Sequence, residues 1–232
     1  MLWVEKYRVG VRGKVILSGV QLELPCPGLG VIEGAAGSGK SLLLAALAGE
    51  GVVEAEGRVR MGGRALSAAN RPLLATREPS TPRRTLEQVL AAGLPRRLDG
   101  SPRRAVREAL LRWDVLAALR PHLDRPLAMA PHALRRLVGT AQALLADPAV
   151  LLLDDPLEGA DALCAELHRR VVEVERERRG VLIAARDPRP WLSGCERHWV
   201  LDGGQLRRGR RGFRSDVYGP VAHDEAGVAE VS

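Results

Sequence analysis

The 232-residue sequence is short of aromatics, lysine, cysteine and long apolar runs. Aromatics make up 3% of the chain, so few side chains could stack on a base, and Trp113 and Trp191 read as packing residues. The longest apolar runs, Leu42–Ala48 and Ala149–Leu153, fall far short of the roughly 18 to 20 residues that cross a bilayer. Glu5, Lys6 and Arg8 interrupt the N-terminus before a secretory signal can form, so a cytoplasmic protein is expected. Cys26, Cys164 and Cys195 are odd in number and scattered, which excludes a disulfide framework and fits a reducing compartment. The histidines (His122, His132, His168, His198 and His223) show no metal-ligand spacing. Lysine occurs only as Lys6, Lys14 and Lys40, so the net charge of +7 and the pI near 10.1 are carried by arginine. That charge is spread along the chain apart from Arg207, Arg208, Arg210, Arg211 and Arg214. Such a spread argues against a nucleic-acid partner and for a solvated or membrane-facing surface.

With 46% hydrophobic residues the chain can bury a sizeable core. Residues 2–24 alternate apolar and polar, as strands of an antiparallel piece do. Leu29–Glu33 reads as a short buried strand and Lys40–Gly49 as a helix stopped by Gly49. Gly57–Met61 and Arg64–Leu66, split by Gly62-Gly63, predict a hairpin, and Leu73–Thr76 another strand. Helices are expected from about Thr81 to Asp147, one of them opened by Ser101 as N-cap and Pro102 at its first position. Leu134, Leu137, Val138, Ala141, Leu144 and Leu145 form one apolar helical face. Then follow a strand at Val150–Asp154, a helix at Ala160–Arg178, a strand at Val181–Ala185 and a final hairpin around Asp202-Gly203-Gly204. Strands alternating with helices predict a parallel α/β core carrying a helical insertion. The last twenty or so residues lack periodicity and read as a loose tail.

Gly34-Ala35-Ala36-Gly37-Ser38-Gly39-Lys40-Ser41 matches G-x-x-x-x-G-K-[ST], with a strand before it and a helix after it. Glycines let backbone N–H groups curl around phosphate oxygens, and the helix N-terminus adds partial positive charge beneath them. Lys40 can reach the β- and γ-phosphates of ATP, the Ser41 hydroxyl can ligate Mg2+, and Leu42 closes the phosphate-binding stretch. Leu151-Leu152-Leu153-Asp154-Asp155-Pro156 is a buried strand ending in carboxylates, the Walker B arrangement. There Asp154 holds Mg2+ through water and Asp155 stands where the attacking water is polarised.

Together with these motifs, Thr85–Leu90, Leu144–Pro148, Gly159-Ala160-Asp161 and Val181–Ala185 give the chain its family likeness. Over roughly residues 2–211 it resembles the ATP-binding (nucleotide-binding) subunit of an ABC transporter. The resemblance implies an α/β P-loop NTPase core of ABC type, with an N-terminal antiparallel β subdomain and an inserted α-helical subdomain. It places a single domain at 1–211, the helical insertion at about 80–147 and a tail at 212–232. It also implies MgATP held between two such subunits in a homo- or heterodimer, and transmembrane permease subunits as further partners. The protein would then sit peripherally on the inner face of the cell membrane, with the face around Thr81–Leu98 docking the permease.

Four positions depart from the family pattern. The signature L-S-G-G-Q falls on Ala130-Pro131-His132-Ala133-Leu134, which lacks the serine hydroxyl and carries a ring where backbone should approach closely. A helix N-terminus is still expected there, with Pro131 in its first turn. Asp155 stands in place of a glutamate, one methylene shorter, and a misplacement of about 1 Å can cost about a hundredfold in rate. Arg186 takes the switch position of a histidine and can hold a γ-phosphate but not exchange protons near neutrality. Arg77 takes the place of the Q-loop glutamine, as a fixed cation in the nucleotide site. No residue near Val11 or Arg12 supplies an adenine-stacking ring, and Tyr7 stands too early. A homodimer would carry two impaired sites, and a heterodimer with an intact partner would still have neither site whole. The expectation is an ATP hydrolase of reduced activity that couples slow turnover to transport, with Asp155 and Arg186 as its catalytic residues. A non-catalytic nucleotide-binding or regulatory subunit of an ABC complex is the second reading. An ABC-type ATPase acting on nucleic acid or the ribosome is the third.

Overall fold

The computed structural model describes residues 1–51, 53–67, 70–75, 79–96 and 99–209. Strands β1 (Leu2–Val11) and β2 (Lys14–Leu24) pair antiparallel from Leu2↔Leu24 to Val11↔Lys14. Strand β3 (Gly28–Glu33) runs into the phosphate loop and helix α1 (Lys40–Ala48). Gly49 ends α1 in a left-handed conformation at φ 68°, as its place after the last apolar residue predicts. Strand β4 (Glu54–Met61) returns along the other side of β1, and the left-handed pair Gly62-Gly63, at φ 57° and 81°, turns the chain into β5 (Arg64–Ala65). β4 starts three residues before the predicted Gly57 because the β5 partner is so short that Glu54, Ala55 and Glu56 lie at a solvated sheet edge. Charged residues are suited to such an edge, so their polarity hides the strand. Strand β6 is only Leu73–Leu74, shorter than Leu73–Thr76, and Thr76 lies outside the described residues.

Helices α2 (Leu86–Ala91), α3 (Pro102–Arg112), α4 (Leu116–Leu119) and α5 (His132–Leu145) follow before the chain re-enters the sheet. Thr85 and Gln88 form a reciprocal capping box that starts α2. Ser101 adopts the N-cap backbone before Pro102, but its exposed hydroxyl makes no capping hydrogen bond. Then come β7 (Val150–Asp154), α6 (Ala162–Arg176), β8 (Gly180–Ala185), the short α7 (Arg189–Leu192), β9 (Arg197–Asp202) and β10 (Gln205–Arg208). α6 starts two residues later than predicted, because the Asp161 side chain accepts from the Cys164 amide at 2.7 Å and fixes the cap there.

The strands form two sheets, β2-β1-β4-β5 and β10-β9-β3-β8-β7-β6. The second is parallel from β9 to β6, with β10 antiparallel at its edge. Because side chains alternate along a strand, each central strand feeds two cores. Val31, Leu151, Leu153, Val181 and Ile183 pack against the helical side with Leu137, Leu167 and Val171. Ile32, Leu152 and Leu182 face the other way, onto Leu43, Leu44 and Leu47 of α1 and onto Val4, Val9 and Leu22 of the first sheet. Helix α1 is thus clamped between the two sheets, and Tyr7 adds a hydrogen bond from its hydroxyl to the Ala46 carbonyl at 3.2 Å. Burying each such aliphatic side chain contributes on the order of 1.5–3 kcal/mol, which fixes α1 and with it the loop at its N-terminus.

A buried charged cluster ties the helical region to this core. Glu175, fully buried on α6, accepts from Trp113 Nε1 at 2.6 Å and from Arg179 Nε at 2.5 Å. Arg179 also donates to the Pro148 carbonyl at 2.6 Å and to Asp147 at 2.9 Å, just before β7. Trp113 packs in the core, as its sequence context predicts, and also hydrogen-bonds across the two regions. Among the described residues no helix is long and apolar enough to cross a membrane.

Candidate functional site

Three adjacent parallel strands end side by side. Glu33 at the end of β3 pairs with Ala185 at the end of β8, and Asp154 at the end of β7 pairs with Ala184. The phosphate loop after Glu33, the carboxylates Asp154 and Asp155, and Arg186 after Ala185 therefore leave the sheet at one level. Ligands bind at such carboxyl ends in open α/β sheets. The sequence-predicted candidates Gly34–Leu42, Asp154, Asp155 and Arg186 are brought together here. Arg77 lies outside the described residues, as do Arg210, Arg211, Arg214 and the segment 212–232.

The phosphate loop owes its shape to glycine. Gly37 and Gly39 have φ of 75° and 103°, which side-chain-bearing residues rarely adopt. A Cβ on Gly34 would meet Ser38 Oγ at 2.6 Å and the Leu201 carbonyl at 2.7 Å. Helix α1 begins at Lys40 with no side-chain cap and no acidic residue in its first turn. Its first N–H groups therefore have no intrahelical partner and point outward as anion donors. Ala35, Ala36, Gly37 and Ser41 are exposed, whereas the Ser38 hydroxyl is buried without a hydrogen-bond partner. A phosphate oxygen would satisfy the orphaned hydroxyl and the free amides together, so these residues fit the group that the motif implies.

Lys40 is 5% exposed, and its ammonium donates to the carbonyls of Gly34 at 2.7 Å and Ala35 at 2.9 Å. Burial pulls its pKa below the usual lysine value, while the charges of Asp155 and Asp154 pull it back up and Arg186 pushes it down. These opposing influences show that all four charges share one electrostatic neighbourhood. No group of three or more His, Cys, Asp or Glu is poised for a metal among the described residues. Ser41 and Asp154 would thus supply few ligands of their own, as suits Mg2+ completed by phosphate oxygens and water.

Asp155 is held at several points. It adopts φ 45°, and its amide donates to the Ala184 carbonyl at 2.7 Å. One carboxylate oxygen accepts from the Arg186 amide at 3.1 Å and the other from Arg186 Nε at 3.3 Å. The second arm of Arg186 donates to Glu158 Oε1 at 2.6 Å. Arg136, on α5 and 7% exposed, donates to the carbonyls of Asp155 at 2.7 Å and Glu158 at 2.8 Å, and pairs with Glu158 Oε2 at 3.5 Å. Charges alternate along Asp155, Arg186, Glu158 and Arg136. Sequence reasoning missed both Arg136 and Glu158. No sequence signal marks Arg136, which stands off the face of Leu134, Leu137, Val138 and Ala141 and beside a second arginine, Arg135; only the fold buries it.

The signature counterpart differs from expectation in one respect. A helix N-terminus does lie there, but Pro131 is the N-cap residue (φ −51°, ψ 145°), and α5 starts at the exposed His132. A proline's fixed φ suits that extended cap conformation as well as it suits a first turn. Near the phosphate loop, Ile16 and Leu17 of β2 flank Gly39, and Tyr7 is buried under α1 and so presents no ring there.

The family model described as "ABC transporter" matches residues 17–158. Hemin import ATP-binding protein HmuV of Streptomyces coelicolor is 30% identical, over 91% of this chain and 80% of its own length. Aliphatic sulfonates import ATP-binding protein SsuB of Mycobacterium avium is 33% identical, over 82% of this chain and 73% of its own. Among solved structures, a dimeric bacterial ABC transporter cassette superposes with a TM-score of 0.75 at 20% identity, covering 92% of this chain and all of that one. The cbiO1 subunit from Clostridium perfringens gives a TM-score of 0.74 at 22% identity, over 89% and 86% of the two chains.

Proposed function

Because the chain belongs to the ABC transporter family of ATP-binding subunits, we propose that it binds MgATP at a dimer interface and powers import through separate permease subunits. The observation that carries this proposal is the register that sets the ends of β3, β8 and β7 side by side. In it, Gly34–Leu42 hold the phosphates, with Lys40 on the β- and γ-phosphates, and Ser41 and Asp154 hold Mg2+. The metal, when bound, screens the phosphate charge and orients the γ-phosphate. Asp155 orients the attacking water and Arg186 sits over the γ-phosphate. Arg77, in the place of the family's glutamine, would add a fixed positive charge for the nucleotide. Residues 1–211 act as one domain, with the helical insertion at about 80–147 facing the permease. Relatives named for import of hemin and aliphatic sulfonates support import over export.

Hydrolysis is slow, because Asp155 is one methylene short of a glutamate and its carboxylate is already engaged by Arg186. That ion pair also favours a second reading, a nucleotide-binding partner that turns over nothing and closes the dimer by preferential binding of ATP. Steady-state ATP turnover of the purified chain, with Lys40→Ala as control and ATP binding measured on both, separates the two. Turnover above the control supports the motor. Tight binding without turnover supports the silent partner, and an absence of ATP binding removes both.

A further inference from the structure

Glu158 is four residues beyond Asp154 and belongs to no phosphate-binding motif, yet it lies in the middle of the charged row beside the site. Its side chain is shared. Oε1 accepts from Arg186 at 2.6 Å, and Oε2 lies 3.5 Å from the buried guanidinium of Arg136. Arg186 is the more exposed partner of the two. It is half-exposed, it stands at the end of β8 beside the strand that feeds the phosphate loop, and its guanidinium is divided between Asp155 and Glu158. Arg136 is the fixed partner, anchored by the Asp155 and Glu158 carbonyls.

Resting on the reading of this site as an ATP site, we propose that Glu158 sets its triphosphate-over-diphosphate selectivity by competing with the γ-phosphate for Arg186. A γ-phosphate presents oxygens to the same guanidinium arm that Glu158 occupies, and a carboxylate and a phosphate drawn onto one arm repel each other, so each weakens the other's hold. Contact with ATP therefore loosens the 2.6 Å bond from Arg186 to Glu158. Arg136 then takes over Glu158, so that no carboxylate is stranded and the exchange is nearly balanced. ADP has no third phosphate and leaves the bond in place. Glu158 is thus a positioning residue that acts through Arg186. The position also ties nucleotide state to α5, the helix whose N-terminus is the signature counterpart, because the anchor that receives Glu158 is on that helix.

Affinities of the full chain for a non-hydrolysable ATP analogue with Mg2+ and for ADP with Mg2+, measured by titration calorimetry, test the proposal. Glu158→Gln keeps the shape and the Arg136-bound carbonyl but removes the charge that holds Arg186. The pair is partly exposed, so the expected gain is modest. Glu158→Gln tightens the ATP analogue about two- to fivefold and leaves ADP unchanged. Glu158→Ala moves the same way and serves as a second variant. In an Arg186→Ala background Glu158→Gln gives no gain. A uniform change for both nucleotides, no change, or a gain that survives without Arg186 overturns the proposal and leaves the ATP-site reading standing. Failure of the unmodified chain to bind either nucleotide overturns both.

Discussion

Arg186 grips Asp155 from two sides, its amide on one carboxylate oxygen at 3.1 Å and its Nε on the other at 3.3 Å. Both carboxylate oxygens are thus already occupied, which leaves fewer lone pairs free to orient a water. Of the other described carboxylates at these strand ends, Asp154 is the metal candidate and Glu33 lies 3.1 Å from His198 Nε2, so what hydrolysis remains is expected to pass through Asp155. Asp155→Asn keeps the shape and removes the charge. Loss of a general base typically lowers rate by about 10²–10⁴. Turnover of Asp155→Asn is therefore expected to fall to the level of Lys40→Ala, while ATP binding persists. Turnover that persists in Asp155→Asn but vanishes in Lys40→Ala would place water activation elsewhere.

The sequence showed the parts of the site that are contiguous or periodic. The phosphate loop is one uninterrupted stretch, and the two-faced strands Val150–Asp154 and Gly180–Ala185 are near-continuous apolar runs, as buried parallel strands are. Side chains whose role depends on tertiary placement were not legible. Glu175 stands among Glu173, Arg176 and Glu177 and reads as one more solvated charge, yet it is fully buried. Arg136 is one arginine among many, and only folding puts the carbonyls of Asp155 and Glu158 within its reach. The capping box at Thr85 and Gln88 went unread despite its three-residue spacing, and the start of β4 was masked by Glu54 and Glu56.

Glu175 is the anion on which Trp113 and Arg179 converge, with Arg112 3.6 Å away. Removing a buried partner leaves the opposite charge unpaired, at a cost of about 3–5 kcal/mol. Glu175→Ala is expected to lose about that much in urea unfolding, and Glu175→Gln less, because an amide oxygen still accepts from Trp113. Losses below about 1 kcal/mol in Glu175→Ala would mean that the cluster is structurally idle.

His168 on α6 is fully buried, with Nδ1 3.0 Å from the Cys164 carbonyl. Burial pushes its pKa down to about 4, the Cys164 carbonyl opposes that shift, and the charge of Arg136 adds to it. The unfolded chain, with a histidine pKa near 6.5, binds the proton first as pH falls. The stabilising contribution of neutral His168 is thus complete above about pH 6.5 and drains away as pH drops toward the folded pKa, by up to about 3 kcal/mol. The check is unfolding free energy against pH for the unmodified chain and for His168→Leu. The variant's curve should be flatter between about pH 6.5 and 4 by nearly one proton. Parallel curves would show that His168 does not carry the acid sensitivity.

Gly37 and Gly39 both have left-handed backbone, at φ 75° and 103°, but only Gly39 is crowded. A Cβ at Gly37 meets nothing within 4 Å, whereas one at Gly39 would lie 2.7 Å from Leu17 Cδ2. Gly37→Ala therefore incurs backbone strain alone, about 1–2 kcal/mol. Gly39→Ala adds a collision with β2 that must push either Leu17 or the start of α1, and α1 carries the amides meant for phosphate. Thermal unfolding should place Gly39→Ala below Gly37→Ala, and ATP affinity should fall further in Gly39→Ala than in proportion to stability. Equal melting temperatures would mean that Leu17 simply turns aside. Retained ATP affinity in Gly39→Ala would mean that the loop tolerates the shift, and the phosphate site would then rest on Lys40 more than on backbone amides.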